Sequence, residues 1–462
     1  MGSWTFFVGS RKRPVAKDKC AMQWKLALHR PIAPRASNEE TLRRNMRLGV
    51  ANGVLFILAD AFSDANLVLT VFVRELGAAP WVVGLLPSLK SGGWLLPQLL
   101  SAGRLQGMTY KLPVYRQVGI VRFFIWLAMV LVVWNATSLP VWVLLPLFLL
   151  GYALYNFTGG SGSVAFQEVV AKTIPARQRG KFFGARNLIG GLLSFALVSP
   201  LVGWLLSRSS PLLFPHNYGV LLFISFVLIG FGIISFSLFA EPPTTNPPAA
   251  ISTKQMFAKI PVLLKSDRNF RQYVLSRMVT RLGGLADPFY ILYAREVLNV
   301  PPRMIGVYLA VRVFSAALSN LFWSRVGDQR GNRLLIVLTG ALIITVPTWA
   351  LLVMPFASIL GPEALGWFFG VIFLLIGLSV DGSNTASLTY VMELAPAEQR
   401  PVYVGVCNTL MGIATFFPVL GGVLLAQFGY LPLFWISAAS AFIGLLLSRR
   451  LPEPRIHEER RA

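Results

Sequence analysis

The chain has 462 residues, of which 55% are hydrophobic and only 13% are charged, and its formal net charge at pH 7 is +23. Its mean hydropathy of +0.62 excludes an ordinary soluble domain, in which about 25% of the residues are charged. The positive charge does not indicate a nucleic-acid partner, because the basic residues are spread over alternate loops and do not form one patch.

Twelve apolar segments follow one another along the chain. A helix needs roughly 20 mostly apolar residues to cross a hydrocarbon core of ~30 Å, and in lipid a helix satisfies all of its own backbone hydrogen bonds. The sequence therefore predicts an all-α integral membrane protein. The predicted spans 1 to 12 are 48–73, 81–103, 113–134, 140–166, 182–206, 217–240, 270–297, 303–324, 333–356, 365–392, 402–427 and 430–449.

Lysine and arginine residues indicate which side of the membrane each loop faces. When the first residue is placed in the cytoplasm, 35 of the 42 basic residues fall in cytoplasmic segments and four in outer loops. This count assigns Arg122 and Arg186 to the loops. Because cytoplasmic loops carry the excess of basic residues in membrane proteins, we predict a multi-pass protein of the cell (plasma) membrane with both termini cytoplasmic.

The second half of the chain repeats the first. PARQRGKFFGARNLIGG at 175–191 and PAEQRPVYVGVCNTLMG at 396–412 share seven residues at identical spacing, with an offset of 221. The same offset superimposes the Arg-Glu pair at 74–75 on the one at 295–296. This repeat predicts a duplicated six-helix unit. The predicted regions are a basic cytoplasmic tail (1–47), a first six-helix bundle (48–240), a cytoplasmic linker (241–269), a second six-helix bundle (270–449) and a cytoplasmic tail (450–462).

Loop motifs in both halves resemble those of the major facilitator superfamily. SRVGDQRGNRLLI at 324–336 resembles the superfamily's loop signature of Gly, Asp-Arg, Gly and Arg-Arg, and PARQRG after span 4 resembles its corresponding loop motif. The equivalent first-half loop, GRLQGMTYKLP, departs from the signature because Gln106 stands where the Asp belongs. The resemblance implies gating roles at the cytoplasmic side for Asp328, Arg330, Gly331, Arg333, Arg179 and Arg400.

The resemblance also implies an architecture and a mode of action. It implies twelve transmembrane helices in two pseudo-twofold-related six-helix bundles, with helices 1 and 7 facing each other across a central cavity. Proteins of this kind are secondary transporters, in which the two bundles rock about a site near the bilayer midplane.

Charged residues inside the predicted spans form the candidate site. A lone charge at the bilayer centre costs ~2.5–3.5 kcal/mol on insertion scales, so such residues need a partner or a wet cavity. The 221 offset relates Asp60 to Arg281, and we expect these two to meet across the cavity. Such pairs either fix the contact between the bundles or break during transport, when the carboxylate takes a proton. The predicted substrate and coupling residues are Asp60, Asp64, Lys90, Arg281, Arg312 and Asp381.

No enzymatic constellation, cofactor motif or metal-ligand spacing stands out, and no Walker-type sequence indicates ATP as an energy source. The sequence predicts proton-coupled export of an organic small molecule. Uptake, or transport of an amphiphile such as a lysolipid, stays open as an alternative. A transporter-like receptor or assembly factor that does not translocate its ligand is the alternative from another class. The expected partners are a small-molecule substrate, protons and the lipid bilayer, without nucleic acid, and we expect a monomer.

Overall fold

A computed structural model describes residues 38–244, 253–396 and 399–454. Most of the predicted tail 1–47, part of the predicted linker 241–269 and the side chain of Asp381 lie outside the described residues. Every regular element within the described ranges is a helix, so the predicted all-α membrane fold is confirmed at this level.

Seventeen α-helices make up the described part of the chain. They are α1 (Asn38–Phe62), α2 (Val68–Glu75), α3 (Pro80–Gln106), α4 (Leu112–Trp134), α5 (Val141–Thr173), α6 (Ala176–Leu193), α7 (Ser199–Leu205), α8 (His216–Ser237), α9 (Thr253–Ser266), α10 (Arg268–Leu282), α11 (Phe289–Glu296), α12 (Met304–Arg330), α13 (Asn332–Val353), α14 (Pro362–Leu394), α15 (Arg400–Ala414), α16 (Phe417–Phe428) and α17 (Tyr430–Arg449).

Nine helical segments within the described ranges are long and apolar enough to cross a membrane, and they coincide with predicted spans 3 to 6 and 8 to 12. Large apolar side chains such as Trp142 and Trp435 are exposed on them, as expected for surfaces that contact lipid. Predicted spans 1, 2 and 7 are also helical, as α1 with α2, α3, and α10 with α11. These three carry most of the predicted site residues, and two of them are interrupted.

The interruptions of spans 1 and 7 lie at equivalent positions of the repeat. Span 1 breaks between Phe62 and Val68, where the Asp64 carboxylate accepts hydrogen bonds from the backbone of Asn66 (3.0 Å) and Leu67 (2.9 Å). These bonds hold the turn that leads into α2, and the first N–H groups of that helix, from Val68 and Leu69, donate to the Asp64 backbone carbonyl oxygen. Span 7 breaks through a 3-10 segment, Gly283–Ala286, and Pro288, which has no backbone N–H to donate.

The order of helix neighbours is the same in both halves. In the first half, α3 and α4 pack on α5, α4 packs on α8, and α1 packs on α8 and α6. In the second half, α12 and α13 pack on α14, α13 packs on α17, and α10 packs on α17 and α15. The repeated sequence thus folds into a repeated set of contacts.

The two ends of the molecule are named here for use below. The tail end is the end at which α1 begins and α17 ends, and the far end is the opposite one, where α2 and α11 end. The halves contact each other through α3 with α15 and α16, α12 with α6 and α7, and α2 with α11.

Candidate functional site

Two carboxylates of the first span each contact a cation from a different helix. Asp60, on α1, lies 2.7 Å from the Lys90 ammonium of α3. Both side chains are partly exposed, at 56% for Asp60 and 30% for Lys90. Because a half-exposed carboxylate in a membrane helix requires water around it, we expect water to reach this pair. The pair joins two helices of the same half.

Asp64 forms the second ion pair, and this pair connects the two halves. The Arg312 guanidinium of α12 donates from Nη1 to Asp64 Oδ1 (3.2 Å) and from Nη2 to Oδ2. Such a two-pronged contact is the strong geometry for Arg and carboxylate. The pair is largely enclosed, with 5% of the Asp64 side chain and 19% of the Arg312 side chain exposed. Asp64 therefore holds the turn before α2 and binds the opposite half with the same carboxylate.

The predicted contact between Asp60 and Arg281 is wrong. Arg281 donates from Nη2 to the Asn384 side-chain oxygen of α14 at 3.2 Å, while Asp60 binds Lys90. Equal depth in the two halves does not bring the residues together, because α3 lies beside α1 and its long lysine side chain reaches Asp60 first. Lys90 and Arg312 each pair with one acid of span 1.

At the far end, the Arg-Glu pairs found in the sequence repeat cross over between the halves. Arg74 Nε lies 2.5 Å from Glu296, and Arg295 lies 3.8 Å from Glu75. Tyr430 adds a hydrogen bond of 2.7 Å from its hydroxyl to Glu296. We call these four charged residues the far-end latch.

Close backbone contacts beside the latch bring the halves together. A Cβ atom added to Gly84 of α3 would lie 2.1 Å from the Pro418 carbonyl oxygen of α16, and one added to Gly306 of α12 would lie 2.3 Å from the Ser199 carbonyl oxygen of α7. Only glycine permits such approach of helix backbones. Together with the latch and the Asp64–Arg312 pair, these contacts close the far end between the halves.

Two arginines of the first half lie deep in helices, although the sequence analysis assigned them to loops. Arg122 lies in α4 with its Cζ atom 4.2 Å from the ring centre of Tyr155, and Arg186 lies in α6 with its Cζ atom 4.8 Å from the ring centre of Phe166. An averaged apolar run does not reveal a buried arginine near its boundary. Glycines leave room for the guanidinium groups, Gly159 beside Arg122 and Gly53 beside Arg186. These glycines were the sequence signal for two arginines inside helices.

Residues 274–462 match the model described as Major Facilitator Superfamily. The match lies in the second half of the chain and agrees with the resemblance that the loop motifs carry. Over 311 residues it is 24% identical to the multidrug resistance protein MdtG of Proteus mirabilis (strain HI4320), an alignment that covers 64% of this chain and 70% of that protein. The match to this family model supports the predicted membrane transporter.

Several solved structures share the fold of this chain. A bacterial homologue of the iron transporter ferroportin in an inward-facing state matches with a TM-score of 0.63 at 14% identity, covering 88% of this chain and 98% of that chain. A ferroportin homologue in an outward-facing state with soaked iron matches with a TM-score of 0.57, with the same identity and coverage. A D-xylose-proton symporter matches with a TM-score of 0.62 at 15% identity, covering 89% and 98%.

The superfamily loop residues of the chain lie at the tail end. Gly331, at φ +88, joins α12 to α13, with Asp328 and Arg330 in the last turn of α12. Arg333 donates to the Arg449 carbonyl oxygen at 2.8 Å. The hydrogen bonds that Arg333 makes within the described part of the chain stay in its own half.

The equivalent arginines after spans 4 and 10 are Arg179 and Arg400. Arg179 donates to the carbonyl oxygens of Ala171 (2.7 Å) and Ile174 (3.0 Å), and so caps the end of α5. Arg400 is the first residue of α15. The gating role that the resemblance implies for these residues stays a prediction.

Glu241 anchors the first-half loop and was not singled out in the sequence, where it opens the predicted linker. Its carboxylate accepts hydrogen bonds from the backbone N–H groups of Lys111 (2.8 and 2.9 Å) and Leu112 (2.7 Å), and from the Lys172 ammonium (2.6 Å). It thereby binds the positive start of α4. The sequence signal for Glu241 was the Glu-Pro pair at 241–242, which recurs at 453–454. Glu453 of the second pair lies against the Gly331 loop.

Proposed function

We propose that the protein is a secondary active transporter of an organic small molecule that works by alternating access and exports its substrate in exchange for protons. Twelve spans would form two six-helix bundles, 48–240 and 270–449, connected by the linker 241–269. The repeated order of helix neighbours supports this layout. So do the interruptions of spans 1 and 7 at equivalent positions, because discontinuous helices near the midplane are common at transporter binding sites.

The tail end is proposed to be the cytoplasmic end in the cell membrane, with both termini cytoplasmic. The excess of basic residues in the loops at that end supports this orientation. The far end, closed by the latch and the glycine contacts, would then face outward. The half-exposed Asp60 would be reached by water from the cytoplasm. The higher TM-score with the inward-facing ferroportin homologue than with the outward-facing one agrees with this state.

The Asp64–Arg312 pair is the observation on which proton coupling rests. The pair joins the halves while the far end is closed. When the halves rock apart there, Arg312 moves away and the Asp64 carboxylate is left in a poorly solvated position, where protonation removes the cost of an unpaired charge. Asp60 and Lys90 would line the cavity within one half, and Arg281 would line it from the other. Asp381, on α14, is retained as a candidate on sequence grounds.

Export is preferred over uptake because the related protein of Proteus mirabilis is named for multidrug resistance. Uptake, and transport of an amphiphile such as a lysolipid, remain the alternatives within the class. A receptor or assembly factor without translocation is the alternative outside it.

The test is a flux measurement in proteoliposomes with the full chain. Ethidium, naphthalene-2-sulfonate and lysophosphatidylcholine serve as probes, each with and without an imposed pH gradient. We expect at least one probe to move against its gradient when protons flow the other way, and Asp64→Asn to abolish this driven movement while it spares exchange. Asp60→Asn is the matched control for Asp64→Asn, because it removes a carboxylate that pairs within one half. Binding without movement in an intact preparation would refute the transporter proposal, and driven flux that is unchanged in Asp64→Asn would remove Asp64 from the coupling role.

A further inference from the structure

Four arginines in membrane helices are left over after the two cavity ion pairs are matched. Asp60 pairs with Lys90 and Asp64 pairs with Arg312. Among the residues that the structure describes, no carboxylate lies within 4 Å of the guanidinium groups that remain. These four residues are Arg122, Arg186, Arg277 and Arg281.

The first-half members of this set occupy positions that are shaped for them. Arg186 lies across Gly53 of α1, where an added Cβ would be 1.9 Å from its Nε atom. Arg122 lies against Gly159 of α5, where an added Cβ would be 3.1 Å from its Cζ atom. A larger residue at either glycine would displace the guanidinium group, so the arginines are built into the packing.

The second-half members lie one helical turn apart on α10. Arg277 is buried and donates from Nη1 to the Ser383 hydroxyl at 2.9 Å, and Arg281 donates to Asn384 at 3.2 Å. Asp287 follows across the break in span 7 and forms no ion pair within 4 Å with a described cation. Among the side chains that the structure describes, these neutral partners leave the positive charge of α10 without a counter-ion in contact; the side chain of Asp381, on the same helix as Ser383 and Asn384, lies outside this set.

The sequence repeat relates the surroundings of the two pairs of arginines. Gly53, Phe56 and Asp60 lie three and four residues apart on α1 and share one face of the helix. Arg186 covers Gly53, and Arg122 lies 5.4 Å from the ring centre of Phe56. The 221 offset relates this face to the one on α10 that carries the two second-half arginines. Asp60 is half-exposed, so the face on α1 opens to water.

Depth along the helices agrees between the halves. With a rise of about 1.5 Å per residue, Arg122, Arg186 and Arg277 each lie roughly 13–15 Å from the tail-end start of their helices. Together with Arg281, one helical turn further along α10 and level with Asp60 by the 221 offset, they form a tier of positive charge. A nitrogen atom in each of the four guanidinium groups is buried and has no hydrogen-bond partner among the described residues.

We propose that this tier binds the anionic group of an organic anion with an apolar body. This proposal names the substrate class of the proposed function, and it rests on that function for the movement of the ligand. Unpaired guanidinium groups in a membrane interior favour a counter-ion, and an anion from the tail end would supply it. Carboxylate, sulfonate and phosphate groups all match the donor geometry of arginine. The aromatic rings of Phe56, Tyr155 and Phe166 beside the arginines would contact the apolar body.

The test uses one scaffold with three charges: naphthalene-2-sulfonate, 2-naphthol and trimethyl(2-naphthyl)ammonium. Binding to the full chain in lipid nanodiscs is measured by calorimetry, with empty nanodiscs subtracted. We expect the sulfonate to bind at least tenfold more tightly than the ammonium probe. Arg281→Gln and Arg186→Gln, one from each half, should each weaken sulfonate binding by about tenfold or more, as expected for the loss of a charged hydrogen bond. Arg303→Gln, at the exposed far-end pair with Glu363, should leave it unchanged.

Equal or tighter binding of the neutral or cationic probe would overturn the proposal. So would unchanged sulfonate binding in both arginine variants when their thermal unfolding matches the wild type. If neither variant folds, the preference of the wild type among the three probes decides. Arginine-dependent sulfonate binding without movement in proteoliposomes would leave this site standing and refute transport. Proton-driven movement of the ammonium probe alone would support transport and refute the anion site.

Discussion

Neutralising Asp64 should release the far end, because its ion pair with Arg312 exists only while the halves are in contact there. Asp64→Asn keeps the side-chain oxygen that accepts from the turn before α2, but it removes the charge opposite Arg312. Breaking a buried ion pair by removing one partner costs ~3–5 kcal/mol. Because the Arg312 side chain is 19% exposed, the lower value applies here. A cost of ~3 kcal/mol on the closed state changes the balance between closed and open states by about 100-fold.

This shift is measured as a distance between the halves at the far end. Ser138 and Ser358 are exposed, lie outside the α-helices at that end, and are related by an offset of 220. Spin labels at these two positions, after Cys20 and Cys407 are replaced by alanine, report the separation by pulsed electron resonance. We expect a longer-distance population that is minor in the wild type to become a major one in Asp64→Asn.

Two further variants separate the ion pair from general damage. Asp60→Asn removes an exposed partner within one half, so it should leave the distances unchanged. Asp64→Asn combined with Arg312→Gln should recover most of the closed population, because no uncompensated charge remains. The reasoning fails if Asp64→Asn is folded and its distance distribution is that of the wild type.

Three other outcomes follow from the contacts described above. Arg74→Glu should shift the same distance equilibrium a few-fold, since partly exposed ion pairs contribute less than about 1 kcal/mol. Adding Glu296→Arg should restore the equilibrium. If the double variant does not restore it, the latch charges do not interact. Gly306→Ala should lower the midpoint of thermal unfolding by several degrees, because its Cβ would meet the Ser199 carbonyl oxygen. The control Gly184→Ala has open space around its Cβ and should not lower the midpoint. Equal midpoints in the two variants would count against a tight contact of α7 with α12. Glu241→Gln should lower the free energy of unfolding by ~1.5–3 kcal/mol, because it loses charged hydrogen bonds. The control Glu39→Gln loses only the exposed contact with Arg43 and should cost less than about 0.5 kcal/mol. Similar losses in the two variants would refute the anchoring role of Glu241.

Apolar run lengths and the internal repeat were enough to predict the helical fold, and the loop motifs pointed to the family whose model matches residues 274–462. They were enough because lipid permits few backbone structures and because the matched residues sit in loops with their own motifs. The same reasoning selected Asp60, Asp64, Lys90 and Arg312 as charged residues in spans, and the structure joins these four into two ion pairs.

The partners within the site were beyond this reasoning. An offset gives the depth of a residue but not the direction of its side chain, so Asp60 was assigned to Arg281 when Lys90 on the neighbouring helix lies nearer. Arg122 and Arg186 were missed because a hydropathy average cannot separate an arginine in a loop from one held over an aromatic ring. Glu241 was missed because the prolines that follow it are typical of a linker.

The crossed far-end latch has a consequence for the origin of the molecule. An Arg-Glu pair placed beside a twofold axis binds its own copy, since the arginine of each unit reaches the glutamate of the other. A single six-helix unit with one such pair would therefore form two ion pairs on dimerising, without any second change in its sequence. Fusion of two such units into one chain preserves both contacts, and it also frees each copy to diverge, as Asp60 and Arg281 have done at their shared position.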